Sequence, residues 1–310
     1  MSLSLQVKKF INSEHTGKYV EITLPNEFFV DSGKGQEEES APQYETTRIH
    51  YTEEGLGEPL ILVHTVGQSL YTWRNIMPRL SEHYRVIAVD LPGHGYSDRP
   101  ISLTYSIFDH ADVLRLFMDA IGIESAHFLA FSMGCSYVGQ LAVDHPERVG
   151  KLVLIAPGGV APEMPLAVRL IDSTLFGAIA SMLYNRNTVH KILDDAFFDL
   201  TFVTDDVVQE YYKPISDPDG RKAIRSSLHN YDDQDLVPRI RDLDRPVLIL
   251  QGSEDKWRTR EHAELLHTML PNAGFSIIRN AGHIIHEEKP ERIIAAVMEF
   301  IPVLMPDTLG

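Results

Sequence analysis

The sequence predicts a doubly wound α/β fold, and three observations carry the prediction. Short apolar runs rich in Val, Ile and Leu recur at 60–63, 85–89, 126–131, 151–155, 246–250 and 275–278. Runs of this length without polar alternation belong to strands covered on both faces, the condition of a parallel sheet. Segments with helical spacing of apolar residues separate them: 107–121, with Val113, Leu116, Phe117 and Ala120 on one face, then 258–270 and 290–301. Such alternation builds an open sheet with helices on both sides. The third observation is a gap. Residues 161–240 contain no buried-strand pattern and divide into helical segments at 165–184, 188–198, 205–212 and 219–230. Lying between the strands at 151–155 and 246–250, this block is expected to be an all-helical insertion, a cap over one edge of the sheet.

In chain order, residues 1–45 read as an N-terminal extension. Within it, 19–30 has the pattern of a strand pair. The stretch 31–42, with Gly33, Gly35 and Glu37-Glu38-Glu39-Ser40, has the composition of a solvated loop. The α/β core is expected to occupy 46–160 and 241–310, interrupted by the cap at 161–240. No internal repeat is evident.

Composition narrows the function. The 310 residues, 44% hydrophobic and 23% charged, suit one large globular domain with an insertion, or two domains. A formal charge of −16 repels nucleic acid and anionic membranes, so neither is expected as a partner. No apolar run reaches the length of about 18 residues that a membrane span needs. The start of the chain lacks the apolar core and cleavage site of a secretory leader, so a cytoplasmic location is expected. Cys135 is the single cysteine, which leaves no internal disulfide.

Ligands of doubly wound sheets bind at the carboxyl ends of the strands. After the run at 126–131 the chain reads Ala130-Phe131-Ser132-Met133-Gly134. Small residues two before and two after Ser132 fit a tight strand-to-helix turn, which would hold the hydroxyl out at a helix N-terminus. After 246–250 comes Gln251-Gly252-Ser253-Glu254-Asp255, and after 275–278 comes Arg279-Asn280-Ala281-Gly282-His283. A serine, a carboxylate and a histidine therefore stand at three strand ends. A serine hydroxyl needs a base to take its proton, and an imidazole needs an acid to hold its tautomer and its charge.

These residues, together with Asp90-x-Pro92-Gly93-x-Gly95-x-Ser97, resemble the α/β-hydrolase superfamily over residues 46–302. The resemblance implies a mostly parallel eight-stranded sheet with a helical cap, Ser132 as nucleophile, Asp255 as acid and His283 as base. It also implies an oxyanion hole built from the backbone N–H of Met133 and one N–H of the loop after the 60–63 strand, here Val66. That loop departs from the family's His-Gly opening: it reads His64-Thr65-Val66-Gly67, with Gly67 supplying flexibility and the Thr65 hydroxyl either assisting or filling space. Glu254 competes less well than Asp255 for the acid. His286, followed by Glu287 and Glu288, reads as the start of a surface helix. His64 and His94 read as loop-shaping residues, Cys135 as a buried packing residue and Trp73 as core.

Fourteen histidines are present, but neither a Cys cluster nor His-Glu-x-x-His accompanies them, so no metal is expected. Without a glycine-rich phosphate loop, no nucleotide or other cofactor is expected either. The leading expectation is hydrolysis of an ester of a small, largely apolar molecule through an acyl-enzyme. The alternative is hydrolytic carbon–carbon cleavage of a diketone: the stretch 151–159 resembles that branch, whereas Thr65 and the His283-Ile284 neighbourhood depart from it. Perhydrolase or acyl-transfer chemistry is compatible with the same residues. A reading of another class is a hydrolase-fold receptor that binds a ligand without turning it over.

Overall fold

The computed structural model describes residues 17–25, 44–158 and 185–302. They form an eight-stranded sheet in the order β1-β2-β4-β3-β5-β6-β7-β8. The strands are β1 (Lys18–Pro25), β2 (Tyr44–Glu54), β3 (Pro59–Val63), β4 (Arg85–Val89), β5 (Ala126–Phe131), β6 (Val149–Ile155), β7 (Val247–Gly252) and β8 (Ala273–Ile278). From β4 to β8 the pairing is parallel; β1 and β2 join antiparallel at one edge.

The six runs expected from sequence are β3 to β8. The two edge strands differ from expectation. Residues 18–25, assigned to an extension, are a sheet strand whose partner is β2, not a segment within 19–30; residues 26–30 lie outside the described residues. β2 has no counterpart among the sequence-predicted strands. Both strands bury only part of their surface, with Ile22 and Leu24 inward on β1 and exposed polar residues between. Antiparallel edge strands alternate in polarity, and continuous apolar runs do not mark them.

Along the central strands successive side chains enter opposite cores. Ile61, Val63, Phe128 and Ala130 join one apolar cluster with α1 (Ile107–Ala120) and α2 (Met133–Asp144). Leu60, Leu62, Leu129 and Phe131 join the other, which also takes in the fully buried Trp73. α1 starts at a reciprocal cap, in which Ser106 Oγ accepts from Asp109 N and the Asp109 carboxylate accepts from Ser106 N. Between β6 and β7 the described chain forms α3 (Arg186–Ala196), α4 (Asp205–Ser216) and α5 (Pro218–His229), capped by Asn185, Thr204 and Asp217. The helix expected at 165–184 lies outside the described residues. After β7 come α6 (Arg260–Met269), α7 (Ile285–Glu288) and α8 (Pro290–Phe300). No described helix is long and apolar enough to cross a membrane.

β3 is flanked by β4 on one side and β5 on the other, so the chain reverses its direction of winding there. The crevice at the carboxyl ends of β3 and β5 is where such a sheet receives ligands.

Candidate active site

Ser132 links β5 to α2 with φ of +52°, a conformation L residues rarely adopt. Backbone bonds hold it: Ser132 N–H donates to Ile155 O at 2.9 Å, and Ser132 O accepts from Cys135 N and Gly158 N at 3.0 Å each. Gly134 is needed because the loop after β3 crosses this turn. A Cβ there would lie 2.5 Å from His64 O and 2.9 Å from Val63 O.

His283 Nε2 lies 3.1 Å from Ser132 Oγ, and His283 Nδ1 lies 2.8 Å from Asp255 Oδ2. Asp255 also accepts from Gln251 Nε2 at 3.0 Å and from the N–H groups of Trp257 and Arg258 at 2.8 and 2.9 Å. Burial pushes its carboxyl pKa up, but the facing His283 and these donors outweigh burial and hold it below the ordinary carboxylate value. The carboxylate is thus ionised beside the imidazole, in the arrangement that fixes the Nδ1–H tautomer. The rings of Phe131 and Trp257 lie 4.9 and 5.0 Å from that of His283. The three residues singled out in the sequence are therefore brought together.

The loop carrying His283 is fastened to the helices between β6 and β7. His283 N–H donates to Ala196 O at 2.7 Å. Glu288 accepts from Gly282 N at 2.6 Å through one oxygen, and from Phe198 N and Asp199 N at 2.9 and 2.8 Å through the other. Trp257 Nε1 donates to Asp195 at 2.7 Å. A side chain at 282 would strike Ala196 O at 2.4 Å.

The expectation of a surface helix at His286-Glu287-Glu288 is corrected: all three are buried. His286 Nε2 lies 2.6 Å from Thr72 Oγ1, and Glu287 accepts from Tyr211 OH and pairs with Arg74, both at 2.5 Å. Glu287 looked solvated in sequence because its partners, Arg74, Thr72 and Tyr211, are far away in the chain, and Glu288 because its partners are backbone N–H groups. His64 and His94 shape loops as expected. His64 Nε2 accepts from Leu91 N at 3.0 Å, so its Nδ1 carries the proton given to Thr65 O at 2.7 Å. His94 Nδ1 lies 2.9 Å from Pro92 O. Cys135 is buried, and burial pushes its thiol pKa far up, which makes it unreactive.

A cavity of about 130 Å³ opens on Ser132 and His283. Its walls are mostly apolar, with Val189, Ile192, Leu193, Ile215, Ile224, Leu228 and Trp257; Gln68, Tyr211 and Arg258 add polar groups. Met133 and Val66 line it as well. The loop Thr65-Val66-Gly67-Gln68 closes with Gln68 N donating to Thr65 O at 3.3 Å, and Gly67 has φ of +74°, where glycine is favoured. Met133 N–H donates to Thr65 Oγ1 at 3.2 Å. Among the described residues no group of three or more His, Cys, Asp or Glu is placed to hold a metal ion.

Residues 58–290 match the model of the alpha/beta hydrolase fold family, which spans most of the chain. The chain belongs to the α/β-hydrolase family. Within the family it is 29% identical over 265 residues to a 2-hydroxy-6-oxo-6-phenylhexa-2,4-dienoate hydrolase of Comamonas testosteroni, covering 82% of this chain and 91% of the relative. It is 31% identical to a 2-hydroxy-6-oxononadienedioate/2-hydroxy-6-oxononatrienedioate hydrolase of Paraburkholderia phymatum, with the same coverage. Among solved structures it is similar to a meta-cleavage product hydrolase of Pseudomonas fluorescens, with a TM-score of 0.72, 26% identity and coverage of 82% and 94% of the two chains.

Groups that the sequence reading missed are Gln251, Trp257 and Glu288. Gln251 was visible directly after a strand, but its use as a donor to Asp255 is a matter of three-dimensional placement. Glu288 carried no signal, because its acceptors' partners are backbone N–H groups.

Proposed function

We propose that the protein is a serine-dependent hydrolase that cleaves a carbon–carbon bond beside a ketone in a small, conjugated keto acid with an apolar end. The observation that carries this reading is the likeness, across most of both chains, to hydrolases named for such substrates, combined with a Ser132-His283-Asp255 array facing a cavity. The apolar walls suit a phenyl or alkyl group on the ketone. Arg258 is the only described lining residue with a permanent positive charge, which suits one carboxylate better than two.

The chemistry follows from the geometry. His283 takes the proton of Ser132 Oγ, which adds to the ketone carbon. Asp255 holds the imidazolium. The N–H groups of Met133 and Val66 receive the oxyanion, an arrangement whose value lies in stabilising charge that exists only in the transition state. The carbon–carbon bond then breaks. The substrate reacts as its keto tautomer, in which the carbon beside the ketone is saturated. The electron pair therefore passes into the adjoining enone, which is why conjugation is required, and His283 returns the proton to the resulting dienolate. Water, deprotonated by His283, attacks the acyl group on Ser132 and releases the second acid. The helices between β6 and β7 act as a cap that furnishes most of the apolar wall.

An ester reading stands second. The walls recognise apolar bulk and contain no described cluster of cations, and an ester carbonyl meets the same three residues.

The test is turnover of 2-hydroxy-6-oxo-6-phenylhexa-2,4-dienoate beside a series of aryl esters, on wild type and Ser132→Ala. A kcat/KM for the dienoate at least tenfold above that of any ester, lost in Ser132→Ala, is the expected result. Ester turnover without dienoate cleavage would transfer the assignment to esterase. A folded protein that turns over neither, and resists a fluorophosphonate, would be a binding module.

A further inference from the structure

We propose that the Thr65 hydroxyl is a third oxyanion donor, beside the N–H groups of Met133 and Val66. The inference rests on the serine-hydrolase reading above and adds a residue to its machinery.

The observation is the 3.2 Å bond in which Met133 N–H donates to Thr65 Oγ1. An electron-rich oxygen thus occupies, in the resting molecule, a place where the oxygen of a tetrahedral intermediate would be held. Three features set Thr65 there. Gly134 lets the loop after β3 lie against the start of α2, with His64 O within 2.5 Å of a Cβ built on it. His64 Nδ1, 2.7 Å from Thr65 O, fixes the Thr65 carbonyl. The turn to Gln68 N closes the loop on its far side. Thr65 is 7% exposed and lines the same cavity as Ser132. Among the described residues nothing accepts its hydroxyl proton, whereas the oxygen is satisfied by Met133.

A neutral ketone or ester oxygen gains little by displacing the hydroxyl, because it offers Met133 N–H an acceptor of similar strength. An alkoxide is a far stronger acceptor. It takes the Met133 N–H, and the Thr65 hydroxyl rotates to donate its idle proton to the same charge. Thr65 keeps its proton throughout and forms no covalent bond. The gain is confined to the charged state, so it appears in kcat and not in substrate binding.

The test uses Thr65→Val, which keeps the β-branched shape, and Thr65→Ser, which keeps the hydroxyl. Kinetics on whichever substrate wild type turns over through Ser132 are paired with inhibition by a trifluoromethyl ketone, whose Ser132 adduct bears an oxyanion. Thr65→Val is expected to lower kcat by roughly 10²–10³-fold, with KM moving less than about threefold, and to weaken the inhibitor by a similar factor. Thr65→Ser is expected to remain within about tenfold of wild type. Wild-type or faster turnover in Thr65→Val would show the hydroxyl to be filler or a plug and would overturn the inference. So would a Thr65→Ser as slow as Thr65→Val. If Thr65→Val does not fold, Thr65→Ala against Thr65→Ser gives the same contrast, and equal rates overturn it. Fluorophosphonate labelling of wild type separates the two levels. No label on Ser132 sinks the hydrolase reading itself, whereas a labelled enzyme indifferent to Thr65→Val sinks only this step.

Discussion

Replacing Glu288 with Gln tests whether the loop bearing His283 is positioned by the helices above it. Glu288 is 4% exposed and accepts three backbone N–H groups, from Gly282 on the histidine loop and from Phe198 and Asp199 just past α3. Gln has one acceptor oxygen. If that oxygen serves Phe198 and Asp199, the amide NH₂ faces Gly282 N–H across the 2.6 Å gap, donor against donor. One buried donor left unpaired costs about 1–3 kcal/mol, and exchanging charged for neutral acceptors removes about 1 kcal/mol more. The expected loss is about 3 kcal/mol, read as a fall in Tm of about 6–12 °C. His283 follows Gly282 directly, and its own N–H is bonded to Ala196 O. A displacement on the order of 1 Å at the imidazole costs about 10²-fold in rate. Stability is read by thermal melting and urea titration. Function is read by the rate at which a fluorophosphonate labels Ser132, which needs no knowledge of the substrate. A Gln variant within about 0.5 kcal/mol of wild type, labelled at an unchanged rate, would refute the idea that this carboxylate holds the base in place.

Two further perturbations probe the same framework. Gly134→Ala places a Cβ 2.5 Å from the backbone oxygen of His64, which cannot swing aside as a side chain could, and should destabilise by about 1–3 kcal/mol while slowing labelling of Ser132; an unchanged urea midpoint would contradict the contact. Acid should weaken the fold before the carboxylates titrate. His64, His94, His110 and His286 are fully buried, and burial lowers each pKa, that of His94 to about 3. Their folded values lie below the unfolded value near 6.5, so the unfolded chain binds the extra protons. Stability held above pH 6.5 is then lost as pH falls toward about 3, at up to about 1.4 kcal/mol per pH unit per ring. Asp90, held below its ordinary value despite burial by His50 and the Leu70 N–H, adds its own loss only at lower pH. Urea unfolding at pH 7, 6 and 5 measures the slope, and a flat profile would contradict it.

The sheet was legible where burial is two-sided. β3 to β7 announce themselves because their central residues are buried on both faces, which leaves few positions for polar residues; β8, at the other edge, is only half-buried but still carries a largely apolar run from Phe275 to Ile278. β1 and β2 escape the same reading because one face of each meets solvent. Arg48 on β2 even turns outward to pair with Asp98 at 2.9 Å. The polar run His286-Glu287-Glu288 was misread for the opposite reason. Charge in sequence suggests water, yet Glu287 is neutralised by Arg74 and hydrogen-bonded by Tyr211, residues at separations of 213 and 76 positions. Local composition carries no trace of a partner that distant.

The three proposed reacting residues were legible because reaction chemistry restricts residue type at a place topology already fixes, the ends of β5, β7 and β8. Positioning groups face no such restriction. A backbone N–H accepts help from any carboxylate that reaches it, so Glu288 has no signature, and Gln251 could be exchanged in principle for another donor. The same bonds tie the helices between β6 and β7 to the loop that carries His283. His283 N–H ends on Ala196 O, Gly282 shares Glu288 with Phe198 and Asp199, and Trp257 beside the imidazole ends on Asp195. Each link runs from the base or its neighbour to α3 or the turn after it. A motion of α3 away from the sheet would have to break these bonds and carry the imidazole off Ser132. Access for substrate while the base stays in register therefore has to come from some movement other than lifting this helix.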